Sequence, residues 1–144
     1  MARWKSSRPY TRCRSAVSAE PVHITKPTRP GLEGLPLDIN GCPVEHTWLA
    51  GVETYIHYDD VPEQDLTTVD GIPTTTPLRA VIDVAAAVDP DDLAAMVTDC
   101  LERGLFTLAE ARARLALDDM ANRPGAVVLG RFLSEFGEQA GKLR

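Results

Sequence analysis

The 144-residue sequence has no hydrophobic run long enough to cross a membrane and no segment typical of secretion. A membrane-spanning helix needs about 20 consecutive, mostly apolar residues. The N-terminus is basic, but no apolar segment follows it, which argues against a signal peptide. The cysteines are Cys13, Cys42 and Cys100, an odd number at wide spacing, which predicts free thiols in a reducing compartment. We therefore expect a cytoplasmic protein without a membrane partner.

The motifs of common active sites are missing as well. There is no Gly-x-Ser-x-Gly element, no Gly-x-Gly-x-x-Gly and no Walker loop. Cys42 and His46 have Cys-x3-His spacing, but no second close pair completes a zinc site. Four acids follow the clearest strand pattern: Asp59, Asp60, Glu63 and Asp65. Because no Glu-x-Lys motif accompanies them, a solvated turn is favoured over a nuclease centre. We predict no enzyme activity, no cofactor and no bound metal.

Basic residues are scarce outside the N-terminal segment. The formal net charge is −6, yet residues 1–30 carry seven Lys/Arg and a single acid, whereas residues 31–144 carry eight Lys/Arg and twenty acids. The acidic body should repel nucleic acid, while the N-terminal segment could attract it. The candidate nucleic-acid-binding residues are Arg3, Lys5, Arg8, Arg12 and Arg14. Residues 1–20 show little periodicity, so a disordered, solvated tail is the favoured interpretation.

Two segments have the alternating pattern of β-strands. Residues 22–27 alternate apolar and polar side chains and end at a proline. Residues 51–60 alternate more clearly, with Val52, Thr54, Ile56 and Tyr58 on one face and Glu53, Tyr55, His57 and Asp59 on the other. Proline and glycine recur in residues 28–42, which predicts a loop between the two strands.

A hairpin is predicted at the Asp70-Gly71 pair. This dipeptide readily takes the positive φ angles of a type I′ turn, and short strand-like segments, residues 66–69 and 72–75, flank it. Pro73 cannot donate a ladder hydrogen bond. We therefore expect its strand to lie at the edge of the sheet or to break there.

Four amphipathic helices are predicted after the hairpin. Their starts are indicated by Thr76-Pro77, by Asp89-Pro90, by the Thr107 and Glu110 capping box, and by the loop at residues 122–125. In the first helix, the core-facing positions are Leu78, Val81, Ile82 and Ala85. Strands followed by helices predict an α+β fold, with strands within residues 22–75 and helices within residues 77–137.

The second and third predicted helices have the spacing of a helix-turn-helix, which would fit DNA binding. Arg112 and Arg114 lie on the third helix, but Glu110 occupies its first turn, where a recognition helix would meet phosphates. Packing of the two helices against each other is the favoured interpretation.

Three segments resemble the middle domain of actinobacterial AbiEi-like proteins, the antitoxin-type transcriptional regulators of type IV toxin–antitoxin systems. The segments read HYDDVPEQDLTTVDGIPTTTPLRAVIDVAA, LERGLFTLAEARARL and NRPGAVVLGRFL. The likeness covers about residues 22–136. It implies one AbiEi-like α+β domain over residues 21–144. It also implies a protein partner, such as a nucleotidyltransferase-like toxin.

The sequence departs from that family at both ends. Such proteins usually begin with a winged helix-turn-helix, which residues 1–20 cannot form. Many end in a restriction-endonuclease-like domain, whereas this sequence stops just after the fourth predicted helix. We expect a non-enzymatic antitoxin-type domain that binds a partner protein. The alternatives are a DNA-binding regulator that uses the basic N-terminal arm, and a truncated remnant of a regulator–nuclease without independent activity.

Three residues are candidates for partner binding: His57, Asp59 and Arg79. In this interpretation they share a ligand-facing surface beside the hairpin. The alternative for Arg79 is a surface ion pair with Asp83, four residues later, which would contribute at most about 0.5 kcal/mol.

Overall fold

In the described part of the chain, six strands precede four helices in a computed structural model, which confirms the predicted α+β class. The structure describes residues 2–4 and 20–142, with side chains described over residues 20–136. The strands are β1 (Ala2–Trp4), β2 (Val22–Lys26), β3 (Val44–Leu49), β4 (Val52–Tyr58), β5 (Leu66–Val69) and β6 (Ile72–Thr75). The helices are α1 (Pro77–Val84), α2 (Pro90–Glu102), α3 (Leu108–Leu115) and α4 (Pro124–Lys142). None of the helices in the described residues has both the length and the apolar character needed to span a bilayer.

The chain divides into two compact units, Met1–Thr76 and Pro77–Arg144, named here the strand unit and the helical unit. The division coincides with the point at which the sequence predicts the change from strands to helices. Within the strand unit the strands form one sheet in the order β3-β4-β2-β1-β6-β5.

The centre of the strand unit is built on the alternation of β4. Its side chains at positions 54, 56 and 58 are buried on the face that the alternation predicts, whereas Val52 on that face is exposed. Leu32 from the preceding loop packs with Ile56 and Tyr58. β2 pairs parallel to β4, and β3 pairs antiparallel to it. The three strands therefore share a second face, opposite the buried one. Positions 53, 55 and 57 of β4 lie on this second face.

Two hairpins in the strand unit have paired positive φ angles. Asp70 and Gly71 have φ angles of 52° and 78°, which confirms the predicted type I′ turn between β5 and β6. Ala50 and Gly51 have φ angles of 51° and 79° and make a similar turn between β3 and β4. The sequence does not predict this second hairpin, because a positive φ is uncommon for alanine.

Two expectations about the sheet are wrong. β6 lies between β5 and β1, so Pro73 does not mark an edge strand. Proline is tolerated because β1 pairs with β6 only at Arg3 and Thr74, a pairing too short to require an N–H from Pro73. Residues 2–4 form β1, which pairs with β2 as well, although the sequence predicts a disordered tail over residues 1–20. Three residues are too few to show an alternating pattern, and residues 5–19 of the predicted tail lie outside the described residues.

The helical unit has the core that the helical periodicity predicts. Its central buried residues are Val81, Ile82, Leu93, Val97, Leu129 and Leu133. Two of the predicted N-caps are also present. Asp89 accepts a hydrogen bond from the Asp91 N–H at the start of α2, and Thr107 and Glu110 form the capping box of α3.

Candidate functional site

The second face of the strand unit carries all three histidines of the chain. The register of β3, β4 and β2 places His46 beside Tyr55 and Tyr55 beside His23. His57 lies two residues farther along β4 on the same face, and Trp48 lies two residues beyond His46 on β3. The alternation of each strand is therefore sufficient to gather five rings in a row across three strands.

The rings of this row, named here the aromatic row, stack on one another. The centroids of His46 and Tyr55 are 4.6 Å apart, those of Tyr55 and His23 are 5.3 Å apart, and those of His23 and His57 are 5.0 Å apart. The angles between these ring planes are 18–25°. Trp48 tilts against His46 at one end, at 6.3 Å. Since the inner rings cover one another's faces, Trp48 offers the most open ring surface.

A chain of hydrogen bonds ends the aromatic row on the other side. His57 Nε2 lies 2.8 Å from His23 Nδ1, and His57 Nδ1 donates to Asp38 Oδ2 at 2.7 Å. Asp38 Oδ1 accepts the N–H groups of Asn40 and Cys42, both at 2.9 Å. Asp38 therefore attaches its own loop to strand β4 through His57.

The electrostatics of this chain favour an ionised Asp38 and a neutral His23. Burial, together with repulsion from His57, lowers the pKa of His23 to about 4. Burial raises the pKa of Asp38, but hydrogen bonds from His57, Cys42 and Asn40 outweigh it, and the net pKa lies below its ordinary value. If both His23 and His57 were protonated, His23 Nδ1 and His57 Nε2 would each carry a hydrogen, and two donors would face each other at 2.8 Å.

The exposed end of the aromatic row lies at the β3–β4 hairpin. His46 Nε2 is 2.8 Å from Glu53 Oε2, and both side chains are partly exposed. Trp48 is 62% exposed, and Leu49 and Val52 beside the turn are exposed too. An exposed tryptophan next to two exposed aliphatic residues is typical of a protein-binding surface.

One range of the strand unit is strongly acidic. Residues 31–76 include nine Asp/Glu and no Lys or Arg. Of these acids, Asp65 is buried, and Glu45 accepts a hydrogen bond from the Tyr58 hydroxyl at 2.8 Å. Negative charge is therefore concentrated in this range.

Arg79 is not on a ligand-facing surface. Its side chain is only 2% exposed, and its Nε donates to Asp83 Oδ1 at 2.9 Å. Asp83 also accepts from Arg123 at 2.7 Å. The predicted Arg79–Asp83 pair exists, but it is not the predicted surface pair. It is the inner part of a three-residue network, because α4 begins next to α1 and brings Arg123 to the same carboxylate.

The other predicted site residues are only partly described. His57 is the member of the predicted partner-binding set that takes part in the aromatic row. Asp59 follows β4, and its N–H donates to the Lys26 carbonyl. Arg3 lies in β1, whereas Lys5, Arg8, Arg12 and Arg14 lie outside the described residues.

The sequence does not predict that His23, His46 and Asp38 join His57. His23 and His46 occupy the same face as Tyr55 only because of strand register, which a single sequence does not specify. Asp38 comes from a segment predicted as loop. Within the described residues, no group of three or more His, Cys, Asp and Glu side chains is arranged to hold a metal ion.

Comparison of the chain with protein-family models, curated proteins and solved structures gives no match.

Proposed function

We propose that this chain is a non-enzymatic, antitoxin-type domain that acts by binding a basic surface of a partner protein. The observation that carries the proposal is the absence of Lys and Arg from residues 31–76, which hold nine acids. A toxin of the nucleotidyltransferase class binds nucleotides or RNA through positive charge. An acidic domain that occupies such a surface would block the substrate and thereby neutralise the toxin.

The exposed apolar residues support the same function. Charge complementarity steers association, but affinity comes mainly from a few buried anchors. Trp48, with Leu49 and Val52 beside it, supplies an anchor of this kind within the acidic region. The resemblance of residues 22–136 to AbiEi-like antitoxins favours a toxin as the partner.

The test is neutralisation of a nucleotidyltransferase-like toxin encoded next to this chain. We expect co-expression to restore growth and the two proteins to co-purify, with the complex weakened by salt. A variant with Glu33, Glu53 and Asp70 changed to the corresponding amides keeps side-chain size but removes three charges. It should neutralise less well. A matched control changes Asp91, Asp92 and Asp99 of α2 to Asn. Persistent toxicity with the unmodified chain, or equal loss in both variants, would contradict the proposal.

A further inference from the structure

We infer that the open edge of β3 takes up an extended, basic segment of the partner protein as an additional antiparallel strand. This inference rests on the proposed function, which makes the bound partner a protein. It adds the surface to which the partner binds and the type of segment bound there.

The backbone of β3 has an edge that can accept a strand. β3 is the last strand of the sheet and pairs only with β4 in the described part of the chain. In a two-residue hairpin, Leu49 and Val52 are the hydrogen-bonded pair, so alternate residues of β3 bond to β4. His46 and Trp48 therefore direct their N–H and C=O groups towards the open edge. Val44 lies two residues before His46, and its N–H bonds to the Pro36 carbonyl on the same side, which fits this alternation.

At Val44 the segment around Pro36 covers the edge, but at His46 and Trp48 the edge lacks the usual protection against an incoming strand. Proteins protect edges with lysine, proline, a bulge or a covering segment. Within Val44–Leu49 there is no lysine and no proline, and the six residues pair with β4 in unbroken register. Trp48 and Leu49 are exposed there. An edge of this kind is the form that β-strand addition uses.

The two faces of β3 determine the segment that fits. His46 and Trp48 lie on one face, where an incoming strand would place apolar side chains. Glu45 lies on the other face, where Lys or Arg would be favoured. A second copy of β3 does not fit as well, because it would place a second Glu45 and a second acidic range, residues 31–76, against the same edge, and like charges repel. The best segment alternates apolar and basic residues.

A labelled eight-residue peptide that alternates Val and Lys tests the inference, with fluorescence anisotropy as the measurement. A Val–Glu peptide tests charge, and a Pro–Lys peptide tests strand formation. We expect binding of the Val–Lys peptide alone, weakened by salt. In hydrogen exchange, the amides of His46 and Trp48 should become protected. Absence of binding, or equal binding of all three peptides, would overturn the inference.

Three variants locate the bound strand. Trp48→Pro removes an outward N–H while it keeps every hydrogen bond between β3 and β4. Trp48→Ala removes only the side chain. We expect a loss of about tenfold or more with Trp48→Ala and no measurable binding with Trp48→Pro. Leu117→Ala removes an exposed leucine of the helical unit and should leave binding unchanged. Circular dichroism confirms that each variant is folded, and Trp48→Ala is the informative variant if Trp48→Pro does not fold.

The outcomes separate this inference from the proposed function. If the toxin is neutralised equally well by Trp48→Pro and the unmodified chain, the function holds and the edge assignment is wrong. If the Val–Lys peptide protects the amides of His46 and Trp48 but the toxin is not neutralised, the edge assignment holds and the antitoxin function is wrong.

Discussion

His23 Nδ1 lies 2.8 Å from His57 Nε2, and the two nitrogens share one hydrogen-bonding proton. An ionised carboxylate only accepts hydrogen bonds, so Asp38 fixes the hydrogen of His57 on Nδ1. The remaining nitrogen of His57 then faces His23. Burial, together with repulsion from His57, keeps His23 neutral in the folded state.

Stability should therefore fall as the pH decreases from about 6.5 to about 4. His23 has a pKa of about 4 in the folded chain and 6.5 as its ordinary value, so the unfolded state binds the extra proton throughout this window. The loss is at most about 3 kcal/mol. Asp38 acts in the same direction at lower pH, because its folded pKa lies below 3.8 and its contribution is lost as the carboxylate is protonated.

Urea unfolding at several pH values checks this prediction. His23→Gln removes the titrating group, so the pH dependence between 6.5 and 4 should be flatter than in the unmodified chain. His46→Gln is the matched control, because His46 is in the same aromatic row but outside the Asp38–His57–His23 chain. If His23→Gln and the unmodified chain have the same pH slope, burial of a neutral His23 is not the source of the pH dependence.

Asp38 should contribute more to stability than an exposed aspartate with similar bonds. Asp38→Ala removes the acceptor of the Asn40 and Cys42 N–H groups and of His57 Nδ1, for a loss of about 2–3 kcal/mol. Asp60 accepts two hydrogen bonds from Thr28 but is exposed, so Asp60→Ala should lose less. Chemical denaturation measures both, and amide exchange should increase at Asn40 and Cys42 only in Asp38→Ala. Equal losses would contradict the assigned role.

The local elements of the fold could be predicted, whereas contacts between distant segments could not. Caps, turns and amphipathic stripes depend on residues a few positions apart, as at Asp89, Thr107 and Asp70-Gly71, and these predictions are confirmed. The sequence does not predict β3, because its turn uses Ala50 at positive φ. It does not predict β1, because these three residues obtain their structure from β2 and β6.

The same distinction applies to the candidate site. Alternation along β4 correctly places Tyr55 and His57 on one face. It does not indicate that β2 lies parallel beside β4 and brings His23 next to both rings. Arg79 shows the opposite problem. Its spacing to Asp83 predicts the pair, but only the tertiary position of Arg123 reveals that the pair belongs to a buried network.

Asp83 should be among the most sensitive charged residues of the helical unit. Asp83→Ala removes the carboxylate to which Arg79 and Arg123 both donate, and Arg79 is almost completely buried. We expect a loss of about 3 kcal/mol in the free energy of unfolding. Asp99 and Arg103 form an exposed pair with the same four-residue spacing, so Asp99→Ala should change stability by at most about 0.5 kcal/mol. Similar losses in the two variants would show that the network is not stabilising.

The β3–β4 turn offers a stabilising substitution. Ala50 has a φ of 51°, a conformation that is unfavourable by about 1 kcal/mol for a residue with a Cβ but not for glycine. Because glycine also has more freedom to lose on folding, Ala50→Gly should gain only about 0.5 kcal/mol.

Gly51→Ala should lose about 1 kcal/mol. No atom lies within 4 Å of the added Cβ, so the loss comes from backbone strain at φ 79° alone. Thermal unfolding measures both variants, and a stabilised Gly51→Ala would show that the turn does not have this geometry. Because glycine adopts the same positive φ, Ala50→Gly should keep Trp48 and Leu49 in place. We therefore expect binding of the Val–Lys peptide to be unchanged.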